Sequence, residues 1–416
     1  MYEKITLGNG VRIVFEPMDG VRSTAIGIWV GAGSRYERAA ENGAAHFIEH
    51  MLFKGTDKYT AAELAEQMDG IGGQINAFTT REATCYYARV LDEHLETAFD
   101  ILSGMFFDSL IAEDDVRNER GVILEEIDMY DDTPDDLCSE RLFKGIFKGA
   151  LGRPVLGTPK TLSAMTGESL RDFKDKNYIA PRIVVTLCGS FNENHIKMIE
   201  NRFSVMEKKR DVPLRACSYT KTLSAKRKAI EQNHLCIAFP GLRSAHEDRF
   251  ALQIMSNILG GGMSSRLFQT VRERNGLCYS IYTFLAGFRD TGTFGIEIAM
   301  GQETEERALA LIRDELLKLL DGGATEAELN RTREQVKSGL ILSLESTHAR
   351  MNKLGNGELM TGRSMSTDEL IERYNSVTLD DVRTIAGRSI NFDEMSISAV
   401  GRVSSGEKYL ELLTAR

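Results

Sequence analysis

The sequence predicts an α+β protein of two tandem homologous domains, each a mostly antiparallel β-sheet with helices packed on one face. Three observations lead there. The same order of strand-like and helical stretches occurs twice in the 416 residues, offset by about 210 positions, the mark of a duplicated domain. Individual segments match at that offset. Val185-Thr186-Leu187-Cys188-Gly189-Ser190-Phe191 is answered by Ile397-Ser398-Ala399-Val400-Gly401-Arg402-Val403, and Ile111-Ala112-Glu113-Asp114-Asp115-Val116 by Ala324-Thr325-Glu326-Ala327-Glu328-Leu329. Within each half, paired strand patterns precede paired helical patterns, as α+β domains do. Between the halves, residues 206–227 are charged and unpatterned, with Pro213 inside. The domains are therefore expected at 1–210 and 226–416, with a linker at 211–225.

Local pattern gives the elements in order. Ile5-Thr6-Leu7 and Val11-Arg12-Ile13-Val14-Phe15 flank Gly8-Asn9-Gly10, a hairpin signal. Thr24 to Val30 reads as a largely apolar strand ending at Gly31-Ala32-Gly33. No third glycine follows at the dinucleotide spacing, so this G-x-G is not taken as a nucleotide loop. A helix over 43–53 comes next, then one over 60–69. Gly70, Gly72 and Gly73 break the chain before a single long strand, 74–90. Helices are expected at 93–107, 113–131, 135–147, 167–177 and 193–202, with a strand at 182–188. The second half repeats this with strands at 234–239, within 279–300 and at 396–400. Its helices are expected at 247–259, 303–320, from 325, and at 367–375. Gly260-Gly261-Gly262 reads as a helix C-terminus.

Composition narrows the function classes. Hydrophobic content of 42% and charged content of 27% describe a globular protein. A formal net charge of −10 argues against nucleic acid or an anionic membrane as partner. No apolar run has the length of a membrane span. The six cysteines (Cys85, Cys138, Cys188, Cys217, Cys236 and Cys278) form no C-x-x-C pair and sit mostly in strand-like contexts. They read as core residues of a reducing compartment. With no leader pattern at the start, the expected location is the cytoplasm.

The chemistry gathers in Gly43-Ala44-Ala45-His46-Phe47-Ile48-Glu49-His50-Met51-Leu52-Phe53. On a helix, His46 and His50 are one turn apart on one face and can grip one metal ion. Glu49 stands beside the second histidine, within reach of a metal-activated water. The pattern H-x-x-E-H is the inverse of the H-E-x-x-H zinc helix, hence inverzincin. At the corresponding place the second half has Gln253, Ser256 and Asn257, so only one half is expected to bind metal. A catalytic zinc site needs a third protein ligand. Glu119-Arg120-Gly121-Val122-Ile123-Leu124-Glu125-Glu126 offers three carboxylates, with Glu119 and Glu126 on one helical face. Spacing does not choose among Glu119, Glu125 and Glu126.

The stretch His46 to Thr56, with a glutamate 76 positions after His50, resembles the signature of the pitrilysin and mitochondrial processing peptidase family of zinc peptidases. The resemblance covers nearly the whole chain, and its length is that of the processing-peptidase branch. It implies one Zn2+ per chain held by His46, His50 and Glu126, Glu49 as general base and Glu119 as a supporting glutamate. Asn76-Ala77-Phe78-Thr79 is similar to the family's edge strand, so Asn76, Ala77 and Phe78 are the expected partners of a peptide substrate's backbone. Arg272-Glu273-Arg274-Asn275-Gly276-Leu277-Cys278-Tyr279 resembles the segment carrying its substrate-binding Arg272/Tyr279 pair. The family also suggests a glycine-rich loop near substrate, at Gly260 to Gly262. The function so implied is a zinc endopeptidase cleaving extended, unstructured peptides in a clam-like chamber. The competing reading is a catalytically silent or partner-dependent assembly subunit. Since one chain carries both the metal motif and the Arg/Tyr segment, a homodimer is expected rather than a heterodimer with a related chain.

Overall fold

The structure, a computed structural model, describes residues 2–415. The strands are β1 (Glu3–Thr6), β2 (Arg12–Pro17), β3 (Ser23–Val30), β4 (Gln74–Thr79), β5 (Thr84–Leu91), β6 (Ile183–Gly189), β7 (Leu223–Arg227), β8 (Gln232–Pro240), β9 (Cys278–Gly287), β10 (Gly292–Gly301) and β11 (Ser396–Gly401). The first eight helices are α1 (Ala44–Met51), α2 (Ala61–Gly70), α3 (Leu95–Asp108), α4 (Glu113–Asp132), α5 (Pro134–Ile146), α6 (Pro159–Ala164), α7 (Gly167–Asn177) and α8 (Glu193–Ser204). Seven more follow: α9 (Arg249–Gly260), α10 (Glu305–Gly322), α11 (Glu326–Ser343), α12 (Thr347–Thr361), α13 (Thr367–Ser376), α14 (Leu379–Ser389) and α15 (Gly406–Thr414).

These elements make two compact units of the α+β class, each around its own sheet. The first holds the chain up to Ile127, Arg153–Arg215 and Leu342–Ser366; the second holds Asp128–Gly152, Ala216–Ile341 and the chain from Thr367 on. These units do not follow the expected boundaries: the stretch 211–225 expected as a linker runs into β7 at Leu223, and each unit also takes one segment from the other half of the chain. The first sheet runs β1-β2-β6-β3-β5-β4, and β2–β6 is its parallel pair. The second runs β7-β11-β8-β10-β9, and β7–β11 is its parallel pair. With β1 set aside, the two orders are the same strand for strand.

The first sheet is buried on both faces. Ile13, Phe15, Ile26, Ile28, Tyr86 and Ala88 point into a core with Phe47, Ile48 and Met51 of α1 and residues of α3, α7 and α8. The alternate residues Val14, Ala25, Trp29, Cys85, Val184 and Cys188 meet Met351, Leu354 and Leu359 of α12. Period-two alternation puts consecutive residues on opposite faces, so a doubly covered strand reads as a continuous apolar run. The second sheet shows the same arrangement: Leu137, Cys138, Leu142 and Ile146 of α5 lie on Cys236, Ala238 and Val400. The expectation of helices on one face only is corrected here: α5 matches the helix expected at 135–147 but covers the second sheet, and α12 answers to no expected helix. The structure supplies a single helix on the other face in each unit.

One expected element is revised. The long strand 74–90 is a hairpin, β4 and β5, closed by a turn in which the Thr80 N–H donates to Ala83 O at 2.7 Å. The turn holds no Gly, Pro or Asn; the Thr80 hydroxyl organises it by accepting from the N–H groups of Glu82 and Ala83 at 3.3 and 3.0 Å. Gly33 is explained at the same place, since a Cβ there would stand 2.0 Å from Thr80 O. This glycine lets the turn approach, and is unrelated to phosphate binding.

Candidate metal centre

α1 is only eight residues long, and its N-cap, Gly43 at φ 101°, brings no capping side chain. A helix must satisfy its first N–H groups somehow. Here the carboxylate of Glu37, 4% exposed, accepts from the N–H groups of Gly43 and Ala45 and from the Asn42 amide, each at 2.9 Å. The apolar face of α1 anchors it in the core, which leaves His46, Glu49 and His50 on the remaining arc.

α4 brings the carboxylates. Its Arg120 donates to the carbonyls of Leu162 and Met165 at 3.1 and 2.7 Å, which fixes the helix rotation. Glu119 and Glu126, two turns apart, then face α1, while Glu125 is exposed. His46, His50 and Glu126 each offer one ligand atom, all within 4.8 Å of one another. Glu126 Oε2 is 3.6 Å from His46 Nε2 and 3.7 Å from His50 Nε2, is buried, and has no hydrogen-bond partner. Donors held about 2.0–2.2 Å from a tetrahedral zinc lie about 3.3–3.6 Å apart. The two carboxylate–imidazole separations come close to that spacing, and the set of two imidazole nitrogens and a carboxylate oxygen, all within 4.8 Å, is of the right chemistry to close on such an ion, which would give the orphaned oxygen its partner.

Electrostatics favour ligation. Burial, with His50 beside it, lowers His46 to about 3, so at any ordinary pH it is the neutral imidazole, the form able to bind a metal. Burial raises the Glu126 carboxyl and His50 opposes it. His50 Nδ1 is 3.0 Å from Glu119 Oε2, so its N–H donates there and leaves Nε2 free for the ion. Glu119, 7% exposed, is paired in turn with the Lys54 ammonium at 2.5 Å. His46 Nδ1 is buried without a partner. Burial raises the Glu49 carboxyl, against the pull of the hydrogen bond it accepts from the Thr79 hydroxyl at 2.5 Å.

Thr79 ends β4, the outermost strand of the first sheet, so Asn76, Ala77 and Phe78 lie on a free edge leading to Glu49. The Ala77 N–H, at an exposed position, donates to Asn76 Oδ1 at 2.7 Å. Beside this edge lies a groove of about 420 Å³ reached by Met68, Asp69, Gln74, Asn76, Tyr87 and Arg89. Arg272 and Tyr279 belong to the second unit. The Arg272 guanidinium is 4.7 Å from the Phe268 ring centroid and 5.9 Å from that of Tyr279, whose side chain is 72% exposed. The structure thus gathers His46, Glu49, His50, Glu119 and Glu126 in one place, sets Asn76–Phe78 on the adjoining edge, and pairs Arg272 with Tyr279 on its own unit. Three contributors had no assigned role in the sequence reading: Glu37, Lys54 and Thr79. Lys54 and Thr79 sit inside the motif stretches; Glu37 carries no spacing signal.

Fold and site together define a protein of the zinc-peptidase kind. The chain belongs to the insulinase family, peptidase family M16: the profile of that name matches residues 12–159, and the one described as the peptidase M16 inactive domain matches 164–336. This agrees with the resemblance read from the motif. Among its relatives is an uncharacterized zinc protease, YmxG, of Bacillus subtilis, 42% identical over 388 residues, or 93% of this chain and 95% of that protein. Another, an uncharacterized zinc protease of Streptomyces coelicolor, is 42% identical over 96% of this chain and 89% of its own length. Of solved structures, a peptidase M16 inactive domain from Pseudomonas fluorescens superposes with a TM-score of 0.89 at 20% identity, covering 97% of this chain and 98% of the other. A protease from Helicobacter pylori gives 0.88 at 19% identity, over 96% and 99%. At these identities the two structures speak to the fold alone. Among the described residues no helix is long and apolar enough to cross a membrane.

Proposed function

We propose that the chain is a zinc-dependent endopeptidase that cleaves extended, unstructured peptides, with one zinc per chain on His46, His50 and Glu126. The observation that carries this reading is Glu126 Oε2, buried, unbonded and equidistant from two imidazole nitrogens. Bound zinc supplies Lewis acidity, which acidifies water and polarises a carbonyl. The chain's own residues do the rest. Asn76, Ala77 and Phe78 pair with the substrate backbone by strand addition, which admits only extended chains. Glu49, held by Thr79, takes the proton of the attacking water and delivers it to the departing amine as the peptide C–N bond breaks. Glu119 holds His50 in the ligating tautomer. Arg272 and Tyr279 grip the substrate backbone and steady the charge that develops on the carbonyl oxygen.

Six free cysteines, four of them buried, support a reducing compartment, and we place the protein in the cytoplasm. We take the working form to be a homodimer, since the chain has both the metal residues and the Arg272/Tyr279 pair; light scattering on a size-exclusion column showing only monomer would rule this out.

The test is hydrolysis of a quenched, unstructured peptide of about twenty residues, long enough to span a strand edge and the site. Wild type and Glu49→Gln are compared, with zinc content measured in both. Cleavage by the wild type and its near-total loss in the variant, with zinc retained, is the expected result. Equal cleavage by both would remove Glu49 as the base.

A further inference from the structure

Glu37 is a deeply buried carboxylate that no step above uses. It lies seven residues before the metal helix, in an irregular segment, and is held from behind. Arg153 donates to the Glu37 carbonyl at 2.7 Å, and Asn42 bridges the Glu37 carboxylate to Pro154 O, both bonds at 2.9 Å. Gly157 seats the same 153–157 loop against the start of α1, where a Cβ would come within 2.6 Å of Asn42 O. So the carboxylate is fixed on one side by this loop. On the other it grips two N–H groups of a two-turn helix that has no capping side chain and no acidic residue in its first turn.

A short helix anchored only through its apolar face is defined in distance from the sheet. Its rise along the axis and its rotation are set at its ends, and a metal site tolerates only about 0.5 Å of error in position and about 10–20° in angle. We propose that Glu37 is the positioning residue of this metal centre, acting through the N-terminus of α1 to keep His46 and His50 in register with Glu126. The inference rests on the zinc reading above.

The carboxyl of Glu37 has a signature that an ordinary helix cap lacks. Burial pushes it up to about 7, against the bonds from Asn42, Ala45 and Gly43 and the nearby Arg153 charge. Arg153 is the charged group beside it; the other partners are neutral amides. Above pH 8 the ionised carboxylate accepts all three bonds. Near pH 6 the protonated acid has turned one acceptor into a donor, as a glutamine does. A folded pKa raised above the unfolded value also means that ionising Glu37 works against stability as pH rises from about 4.5 through about 7. The carboxylate therefore improves the site while opposing the fold.

The experiment compares wild type with Glu37→Gln by chelator competition for zinc at pH 8 and pH 6, alongside thermal unfolding of the zinc-free proteins. At pH 8 the variant is expected to bind zinc about tenfold to a hundredfold more weakly, the range for groups that orient a ligand from behind. The ratio of the two dissociation constants is expected to shrink toward one at pH 6; protonation of the ligands themselves cancels in that ratio. A plain structural role would lower the unfolding temperature and leave the ratio at one. A ratio of one at pH 8, or one that does not change with pH, overturns the proposal. Should the glutamine variant not fold, Asn42→Ala removes one bond to the carboxylate and keeps both backbone bonds. A few-fold loss of zinc affinity is then expected, and no loss overturns the proposal equally. Failure of the wild type to bind zinc would sink the zinc reading as well, whereas tight wild-type binding with an unaffected variant sinks this inference alone.

Discussion

Glu119 links α4 to the metal helix and to Lys54 just beyond its end through two short contacts, and its replacement has a calculable effect. Its Oε2 receives the His50 N–H at 3.0 Å and its other oxygen the Lys54 ammonium at 2.5 Å, in a site only 7% exposed. A hydrogen bond to a charged group contributes about 1.5–3 kcal/mol net. At about 1.4 kcal/mol per factor of ten, losing it should weaken zinc binding about tenfold to a hundredfold. Glu119→Gln keeps a neutral acceptor for His50 but turns an amide toward Lys54, so it belongs at the low end. Glu119→Ala removes the acceptor and leaves His50 free to rotate, so it belongs at the high end. Lys54→Met leaves the carboxylate in place without its counter-charge and should cost less than either. Zinc affinity by chelator competition ranks the three directly, with the circular dichroism spectrum as a check on folding. If Glu119→Ala binds zinc as tightly as the wild type, Glu119 does not orient His50 and this reasoning fails.

Two further outcomes are expected. Ala77→Pro deletes an exposed edge donor, which proline tolerates on a strand rim. Zinc binding should survive and peptide cleavage should fall at least tenfold; undiminished cleavage would show that substrates do not add to β4. Gly355→Ala places a Cβ 2.2 Å from Trp29 ring atoms, about 1 Å short of ordinary contact. The overpacking penalty of about 1–3 kcal/mol should exceed the roughly 1 kcal/mol that alanine adds to helix propensity. Urea unfolding followed by the fluorescence of Trp29, the single tryptophan, would then shift to lower denaturant. An unchanged midpoint and emission would mean that α12 is not seated on the ring.

The metal helix was legible because its chemistry is written in adjacent residues: two histidines one turn apart and a glutamate between them. The distal ligand was not legible from spacing, because Glu119, Glu125 and Glu126 differ only in where α4 points them, and Arg120 sets that rotation from outside the motif. The β4–β5 turn hid because a threonine hydroxyl replaces the usual turn residues. α12 hid for a packing reason. Its Gly355 lowers helix propensity, yet this glycine is what allows the helix axis to approach Trp29. α14 and α15, also absent from the sequence reading, fall in a stretch where strong polar patterning masks a narrow apolar face. Glu37 escaped because a cap delivered from six residues upstream leaves no local pattern.

α5 and α12, each lying on one face of a sheet, have a consequence for how such a chain came to exist. α5 lies in the first repeat and covers the second sheet; α12 lies in the second repeat and covers the first. A single copy of the repeat would therefore leave one face of its sheet bare and carry a helix with nothing of its own to cover. It could satisfy both only by trading that helix with an identical copy, an exchanged dimer of the kind symmetric oligomers favour. Fusion of two such copies end to end preserves the trade inside one molecule and frees each copy to diverge. The first copy carries His46 and His50; at the corresponding place the second has Gln253 and Asn257.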